Sequence, residues 1–481
     1  MESNGMPRAS LEKAGQSHEP AAHRWLVFIS VVIGTFMVNV DSSIVNVAVP
    51  VLQRDFHVGP GALQWVISGY LLVVTAMLPM IGGMSDRTDR RTCYIAGVTV
   101  FSLGSALCAW STDVDQLIVF RLVQALGGAA IMGNVMSIIS YTFPAGQRGR
   151  PLGLVNSVVA AGTIVGPALG GALTAAVGWK SIFWVNIPLG MISIVMSLAF
   201  LRRMSTNRSM ARFDWMGSLW FFVAMAGTLL FLSNGNSWGW MSGRSIMAGG
   251  LSIGAWLLFM MRESRIREPL IDLRLFRSAR FAIGNVAGYL SYVIMMFPTF
   301  ILPLFLHQVM HEPIAHVGLL MTSQAVAMIL ISPVAGWLTD KYGPKWPTTV
   351  GMAIVTAALL WMAGFGSGTS KPAVVAAQAL FGLGMGLFTA PNNVSILESV
   401  PVAQTGLIGS LLATIRNFGR VSGVALAVVL LETAIGTSSH YSESALVIGS
   451  RIAFGSAAIL GAVATLLIST RMAASSKTTV I

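Results

Sequence analysis

Four charged residues lie inside long apolar stretches of this sequence: Asp41, Arg121, Arg416 and Arg420. A charged side chain at the centre of a lone membrane helix costs about 2.5–3.5 kcal/mol, so such residues face a bundle interior or a water-filled cavity and mark functional sites. Burial also disfavours the charged form of a carboxyl group, which then binds and releases a proton as its surroundings change. The chemistry expected of these residues is reversible protonation and ion binding.

Asp41 is the only acidic residue well inside an apolar stretch, which makes it the candidate proton carrier. The helical rise places it about 24 Å from the inner end of the first stretch and about 13 Å from the outer end. Asn39 and Asn46 fall on a different side of the same helix, and we expect them to line a substrate cavity. The alternative role for Asp41 is a structural hydrogen bond.

Arg121 lies about 6 Å from the outer end of the fourth apolar stretch, so its side chain can reach the depth of Asp41. An arginine there would favour the ionised carboxylate and oppose the effect of burial, and substrate or a conformational change could then shift the balance. The alternative is that the Arg121 side chain extends to the outer surface. Gln124, almost one turn further along, is expected to line the substrate cavity.

Arg416 and Arg420 lie one helical turn apart near the middle of the thirteenth stretch. Two bases on one face are too costly for contact with lipid, so they face the cavity or an acidic partner. They indicate an anionic substrate group or an unusual ion pair, and a purely structural role fits the sequence equally well. Further residues expected to line the cavity are Phe297, Phe300, Asn392 and Asn393.

A short polar turn occurs once in each half of the chain, at 82–91 and again at 336–345. The repeat indicates a duplicated membrane protein with a hinge between helices in each half. We expect Asp86 to cap a helix end or pair with local arginines, and to hold the inner end closed while the outer end is open. The residues expected to control this gate are Gly82, Asp86, Arg87, Arg90, Arg91, Gly336 and Asp340, with Gly166 and Pro167 in the fifth stretch.

The composition indicates that lipid is the solvent of this chain. Of 481 residues, 54% are hydrophobic and 10% are charged, whereas about a quarter are charged in soluble proteins. A helical span needs about 20 apolar residues. Fourteen such runs occur, at roughly 25–50, 63–84, 93–110, 117–140, 151–177, 181–201, 214–233, 245–262, 281–306, 315–338, 347–366, 373–398, 405–433 and 451–470.

The basic residues indicate how the spans are oriented. With the N-terminus inside, the inner segments hold 22 of the 30 Lys and Arg residues and the outer loops hold five, as the positive-inside rule requires. Both termini and both repeated turns are therefore predicted to be cytoplasmic. These loops also account for the net charge of +12, and their pattern does not indicate nucleic-acid binding.

The position of the second turn predicts the architecture. It follows the tenth span rather than the eighth, which indicates an all-α integral membrane protein of two six-helix bundles with two extra spans between them. In such parallel repeats the substrate site lies between the halves. The predicted parts are a cytoplasmic tail (1–24), the first bundle (25–201), a linker with the two extra spans (202–280), the second bundle (281–470) and a cytoplasmic tail (471–481).

Several motifs resemble those of the major facilitator superfamily, and in particular its fourteen-span drug–proton antiporters. The turn at 82–91 is similar to G-x-L-a-D-R-x-G-R-R/K, with Asp89 in place of the second glycine. Residues 162–171 resemble the glycine-rich motif of the antiporter branches. Three further segments resemble the fourteen-span branch, namely 41–50 (D-x-T-I-V-N-V-A-x-P), 178–190 (G-W-R-W-I-F-x-I-N-x-P-x-G) and the linker 268–276.

The resemblance extends to the arginines within spans. Arg121 matches R-x-x-Q-G except that Ala125 replaces the glycine, and the family associates this arginine with proton relay. Arg416 matches R-x-x-G, whereas Arg420 stands where the family usually has a small residue.

The function that the resemblance implies is proton-coupled efflux of amphipathic, often cationic, drugs or toxic compounds by alternating access. The expected partners are this small substrate, protons and the bilayer, and a monomer is expected. No cofactor or metal is expected, because the proton gradient supplies the energy and no Walker A motif occurs. The alternatives are an exporter of one metabolite or lipid, a symporter, and a non-transporting sensor or scaffold. An enzyme is disfavoured, because no span carries paired acids or a His/Cys/acid cluster.

Overall fold

The structure, a computed structural model, describes residues 20–58, 60–144, 146–202, 213–266, 269–401, 404–435 and 443–476. Within these ranges the regular structure is entirely helical, and fourteen helical segments are long and apolar enough to cross a membrane. The predicted number of spans is therefore confirmed.

The spans keep the order predicted from the apolar runs, and most are longer than the runs themselves. A 3₁₀ helix, Leu273–Arg277, precedes span 9. The helices of spans 1 to 14 are, in order, Ala21–Phe56, Pro60–Ser85, Arg90–Trp110, Val114–Thr142, Gly149–Val177, Ser181–Trp184 with Asn186–Phe200 (together span 6), Trp215–Trp238, Gly243–Glu263, Ala279–Gln308, Ile314–Tyr342, Lys345–Ala363, Lys371–Leu397, Thr405–Ile435 and Glu443–Ser476.

Aspartates begin two neighbouring spans by capping the free N–H groups of the first helical turn. Asp89 accepts a hydrogen bond from the Thr92 N–H at 3.3 Å, and Asp113 accepts one from the Gln116 N–H at 2.8 Å. Asp89 is the residue that replaces a glycine in the turn motif. Its capping role explains why span 3 begins at Arg90, immediately after the turn.

Spans 1–6 and spans 9–14 form two helix bundles. The second bundle has a core of aromatic side chains at most 1% exposed: Phe297, Phe305, Phe381, Phe388 and Phe454. Spans 7 and 8 pack against each other, and span 7 also contacts spans 2 and 13. The extra pair therefore lies beside the interface between the two bundles.

The bundles meet through spans 2, 4 and 5 of the first and spans 10, 12 and 13 of the second. Hydrogen bonds join them toward one end, here called the basic end because it carries Arg90 and Lys345. One such bond runs from Ser157 Oγ to the Ile329 carbonyl at 2.8 Å. Beyond its midpoint, span 5 packs through Gly166 against span 1 of its own bundle instead. The molecule is thus closed at the basic end.

Candidate functional site

A buried ion pair occupies the centre of the first bundle. Arg121 Nη1 donates to Asp41 Oδ2 at 2.5 Å, and the two side chains are 1% and 0% exposed. The other carboxylate oxygen accepts hydrogen bonds from Gln124 Nε2 and Asn186 Nδ2, both at 2.9 Å. Three donors directed at one carboxylate match the hydrogen-bonding capacity of its ionised form. The cluster of Asp41, Arg121, Gln124 and Asn186, here called the Asp41 cluster, joins spans 1, 4 and 6.

Arg121 is fixed from several directions. Its Nη1 also donates to Gln124 Oε1 at 2.8 Å, and its Nε donates to the Val66 carbonyl at 3.3 Å. The guanidinium carbon lies 4.1 Å from the centre of the Tyr70 ring, a cation–π contact with span 2. These contacts leave the arginine inside the bundle, so the alternative of extension to the outer surface is wrong.

The sequence predicted that the side chain of Arg121 reaches the depth of Asp41 in the membrane. It did not predict that Asn186 also contacts Asp41. Asn186 is 0% exposed and also donates to Ser105 Oγ at 3.0 Å. It lies in the 178–190 motif, and it is the only amide side chain of the sixth span, which was the available signal.

Two residues predicted to line the cavity, Gln124 and Phe297, lie elsewhere in this conformation, because their helical faces turn inward within one bundle. Gln124 belongs to the Asp41 cluster, and its backbone packs against Gly104 of span 3. Phe297 is 0% exposed in the core of the second bundle, because its side of span 9 faces that core rather than the first bundle. Phe300 is partly buried and packs against the same core.

A narrow cavity lies between the bundles, just beyond the contacts at the basic end. Its volume is about 20 Å³, which is room for about one water molecule. The wall is mostly apolar, and Thr35, Asn393 and Arg416 provide side-chain polar groups. The lining residues are Thr35, Met132, Val135, Met136, Val155, Val159, Tyr292, Asn393, Gly409, Leu412, Ala413 and Arg416.

The other predicted cavity residues lie near this wall or outside the described set. Asn39 Nδ2 donates to the Thr35 carbonyl at 2.7 Å within span 1. Asn392 Nδ2 donates to the Gly284 carbonyl of span 9 at 3.0 Å. The side chain of Asn46 lies outside the described residues. Arg420 lies one turn beyond Arg416, with its guanidinium carbon 5.9 Å from the centre of the Tyr292 ring.

At the basic end, Asp86 connects the first bundle to the second. Its carboxylate accepts hydrogen bonds from the N–H groups of Gly406 at 3.0 Å and Leu407 at 2.7 Å, at the start of span 13. Arg90 Nη2 donates to the same carboxylate at 2.5 Å. Burial raises the pKa of Asp86 above its ordinary value, and Arg90 and the two N–H groups oppose this effect. From the sequence we expected Asp86 either to pair with a local arginine or to cap a helix. In the structure it does both, because it pairs with Arg90 and caps the start of span 13.

Two other arginines of the same turn attach it to its surroundings. The guanidinium carbon of Arg87 lies 5.4 Å from the centre of the Phe213 ring, just before span 7. Arg91 Nη2 donates to the Leu198 carbonyl near the end of span 6 at 2.8 Å. The turn is therefore anchored to its own bundle and to the extra spans, while Asp86 reaches across the interface.

Asp340 makes the mirror connection from the second bundle to the first. It accepts hydrogen bonds from the N–H groups of Gly149 at 2.7 Å and Arg150 at 3.0 Å, at the start of span 5. The free N–H groups of a first helical turn and the positive end of the helix dipole both favour an anion at this position. Each repeated turn thus provides an aspartate that caps a span of the opposite bundle.

Glycines allow the backbones to meet beside these aspartates. A Cβ added at Gly82 would lie 2.7 Å from the Gly406 carbonyl oxygen. One added at Gly336 would lie 2.6 Å from the Gly149 carbonyl carbon. Gly166 serves a different contact, because its added Cβ would lie 3.0 Å from the Val40 carbonyl oxygen of span 1. Pro167 follows it inside the span 5 helix.

Replacing Gly336 with alanine is expected to open the basic end. Overpacking of a close contact costs about 1–3 kcal/mol, and here that cost falls only on the closed conformation. Spin labels at exposed Gln147 and Tyr342, in a background without Cys93 and Cys108, would report a longer interbundle distance.

Gly318→Ala is the matched control, since it lies on the same span with no neighbouring atom within 4 Å of the added Cβ. The control should keep the distance of the parent protein. Equal distances in both variants would show that Gly336 does not limit closure.

A sequence model of the Major Facilitator Superfamily matches residues 31–315 and 285–479, which together exceed half of the chain. The chain belongs to the Major Facilitator Superfamily. It is therefore a membrane transporter and not an enzyme. Among the residues that the structure describes, no group of three or more His, Cys, Asp or Glu side chains is placed to hold a metal ion.

Curated relatives and a solved structure agree with this assignment. The riboflavin transporter RibZ of Clostridioides difficile is 35% identical over 84% of this chain and 87% of its own length. The tetracenomycin C resistance and export protein of Streptomyces glaucescens is 30% identical over 88% of this chain and 80% of its own length. The crystal structure of the human organic anion transporter MFSD10 has a TM-score of 0.69 at 13% identity, covering 94% of this chain and all of that one, which supports the fold alone.

Proposed function

We propose that this transporter exports amphipathic small molecules across the cytoplasmic membrane in exchange for protons, by alternating access. The basic end is cytoplasmic in this proposal, as the excess of Lys and Arg there supports, and so are both termini. The conformation described is then closed to the cytoplasm and belongs to the outward-facing part of the cycle. The protein acts as a monomer and requires no cofactor, because the proton gradient drives it.

The observation that carries the proposal is the buried carboxylate of Asp41. In this conformation its charge is balanced by Arg121, within a cluster that excludes lipid and bulk water. Binding of a proton cancels the negative charge, so the ion pair is lost and Arg121 is left as an uncompensated charge. Breaking a buried pair from one side costs about 3–5 kcal/mol. An energy of this size is sufficient to shift a transporter between two conformations.

A continuous set of contacts connects the Asp41 cluster to the gate. Span 1, which carries Asp41, packs on span 5 through Ser43, whose Oγ donates to the Gly162 carbonyl at 3.1 Å. Span 5 begins at Gly149, where Asp340 caps it from the second bundle. A rearrangement of span 1 on protonation is thereby transmitted along span 5 to the closed end. Asp86 and Asp340 hold that end until the rearrangement releases them.

The relatives support export of small molecules, and they also favour a second candidate. One is named as a resistance and export protein for tetracenomycin C, which matches efflux of a toxic compound. Another is named as a riboflavin transporter, which favours a dedicated transporter of one metabolite as the second candidate. A broad substrate range distinguishes the first candidate from the second.

The energetics of one proton per substrate are adequate for efflux. Moving one charge across the membrane yields about 2.3 kcal/mol per 100 mV, so one proton entering at ~150 mV sustains a ~300-fold gradient of a neutral substrate.

The test uses proteoliposomes with an imposed proton gradient and the neutral fluorescent dye dansylamide. We expect accumulation against the dye gradient that stops when an uncoupler collapses the proton gradient. Transport that persists at the same extent after collapse would refute proton coupling.

A further inference from the structure

Two arginines of span 13 have no anionic partner among the described residues, and the Nε atom of each is buried without a hydrogen bond. Arg416 is 9% exposed, and its Nε has no hydrogen-bond partner. Arg420 is partly exposed, its Nε is buried without a hydrogen-bond partner, and its guanidinium carbon lies 5.9 Å from the centre of the Tyr292 ring. Among the described residues, no carboxylate lies within 4 Å of either side chain, whereas the buried arginines Arg90 and Arg121 each have one.

The pairing of these two arginines is unfavourable for the protein alone. They lie four residues apart, so they share one helical face and repel each other. A buried polar group without a partner also bears the full cost of lost hydration. Such an arrangement is stabilised when a ligand supplies the missing negative charge and acceptor oxygens, and arginine is well suited to bind carboxylate, sulfonate and phosphate groups with two hydrogen bonds.

The wall beside the pair matches an amphipathic molecule in its chemistry, and the cavity must widen to admit one because its volume in this conformation is about 20 Å³. Arg416 lines the cavity between the bundles, opposite apolar side chains of spans 4 and 5 such as Met132 and Val159. Asn393 adds a neutral polar group to the wall, and no acidic residue lines it. Asp41 is absent from the wall and is already paired with Arg121, so it does not neutralise the cavity.

We propose that the transported compound is an organic anion whose acidic group binds between Arg416 and Arg420 while its apolar part contacts the Met, Val and Leu side chains. This inference rests on the proposed export function and narrows its substrate class. The proposed substrate is anionic, whereas the family resemblance implied drugs that are often cationic. Arg420 lies one turn, about 6 Å, further from the basic end than Arg416, so the acidic group lies on the side away from the closed gate.

The experiment compares three fluorescent dyes that share one aromatic body and differ in charge. Dansylate is a permanently ionised sulfonate, dansylamide is its neutral sulfonamide, and dansylcadaverine carries a cationic amine. Transport of each in proteoliposomes, and its effect on the melting temperature of the purified protein, are measured for the wild type, Arg416→Gln and Arg420→Gln. Arg244→Gln is the matched control, because Arg244 is exposed outside the cavity.

The wild type is expected to transport dansylate in preference to dansylcadaverine and to melt at a higher temperature in its presence. Each cavity substitution should reduce dansylate transport at low concentration about 10-fold or more, the usual effect of losing a hydrogen bond to a charged group. Both substitutions should reduce dansylamide transport less than dansylate transport, because the neutral dye has no acidic group for the arginines to bind. Arg244→Gln should transport dansylate within twofold of the wild-type rate. Without ligand, Arg420→Gln should melt at the same or a higher temperature, because it removes an uncompensated charge. If Arg420 had a structural role in an ion pair, Arg420→Gln would instead melt at a lower temperature than the wild type.

Two results would overturn this inference and leave the export function standing. One is proton-driven transport of the cation or the neutral dye without dansylate binding or transport. The other is dansylate transport that both cavity substitutions leave unchanged. If the wild type moves none of the three dyes in response to a proton gradient and dansylate leaves its melting temperature unchanged, both proposals fail. Melting-temperature stabilisation by dansylate without any transport would support the anion site and refute the export function.

Discussion

Asp41→Asn is expected to abolish uphill export while substrate exchange continues. Asparagine keeps the shape of the carboxyl group but cannot bind or release a proton, so the free energy of the proton gradient no longer reaches the substrate. For the neutral dye dansylamide, the maximal accumulation ratio should fall from up to ~300-fold to about one. Exchange of labelled for unlabelled substrate needs no net proton movement, and it should persist at a reduced rate.

Stability measurements distinguish this loss of coupling from misfolding. Asp41→Asn leaves Arg121 buried without its carboxylate, which should cost about 3–5 kcal/mol. The double variant Asp41→Asn with Arg121→Gln removes both charges and should recover most of this stability without recovering uphill export. Asp115→Asn is the matched control, because this acid is exposed in the first turn of span 4. Retention of uphill export in Asp41→Asn would show that the proton binds elsewhere.

Asp86→Asn should impair transport more than Asp340→Asn. Asp86 is 1% exposed and binds two N–H groups of span 13 together with Arg90. Asp340 is partly exposed and binds two N–H groups of span 5. Each lost hydrogen bond to a charged group is worth about 1.5–3 kcal/mol, so Asp86→Asn should reduce the maximal export rate about 10-fold or more. Asp340→Asn should have the smaller effect.

The two variants are compared by initial export rate and by interbundle distance at the basic end. Asp86→Asn should populate the open basic end more than Asp340→Asn does, and the reverse order would contradict the account. Acidity provides a second readout. Because burial raises the pKa of Asp86, this residue loses its charge at a higher pH than an ordinary aspartate, and the cost of burying its ionised form is relieved as pH falls. Acid on the basic side should therefore favour the closed end in the wild type, because the closed end binds a proton at Asp86 more readily than the open end does. This response should be smaller in Asp86→Asn.

The architecture could be predicted because its signals are local. Runs of apolar residues give the number of spans, and the repeated turns at 82–91 and 336–345 reveal the duplication. Asp41 stood out as the candidate proton carrier because it is the only acidic residue well inside an apolar stretch. The depth of Arg121 in span 4 followed from the helical rise. These inferences require only the position of a residue along its own helix.

The remaining features depend on how helices rotate and meet, which the sequence does not encode locally. Gln124 faces Asp41 rather than the cavity because span 4 packs closely on span 3 at Gly104. The partners of Asp86 are backbone N–H groups at Gly406 and Leu407, and any helix start offers such groups whatever its sequence. Phe297 lies in the core of the second bundle because its side of span 9 faces that core. An aromatic residue type does not reveal which way a helix faces.

If Asp41 exchanges a proton for each substrate that leaves, protons must enter the vesicle as substrate moves out, and this movement can be measured. Proteoliposomes containing a pH-sensitive dye are loaded with a substrate that the wild type moves and diluted into substrate-free buffer at equal pH. As substrate leaves, the lumen should acidify in the wild type and stay unchanged in Asp41→Asn. Antiport through Asp41 would be contradicted if the lumen of wild-type vesicles became alkaline or did not change in pH. It would also be contradicted if the lumen acidified with Asp41→Asn.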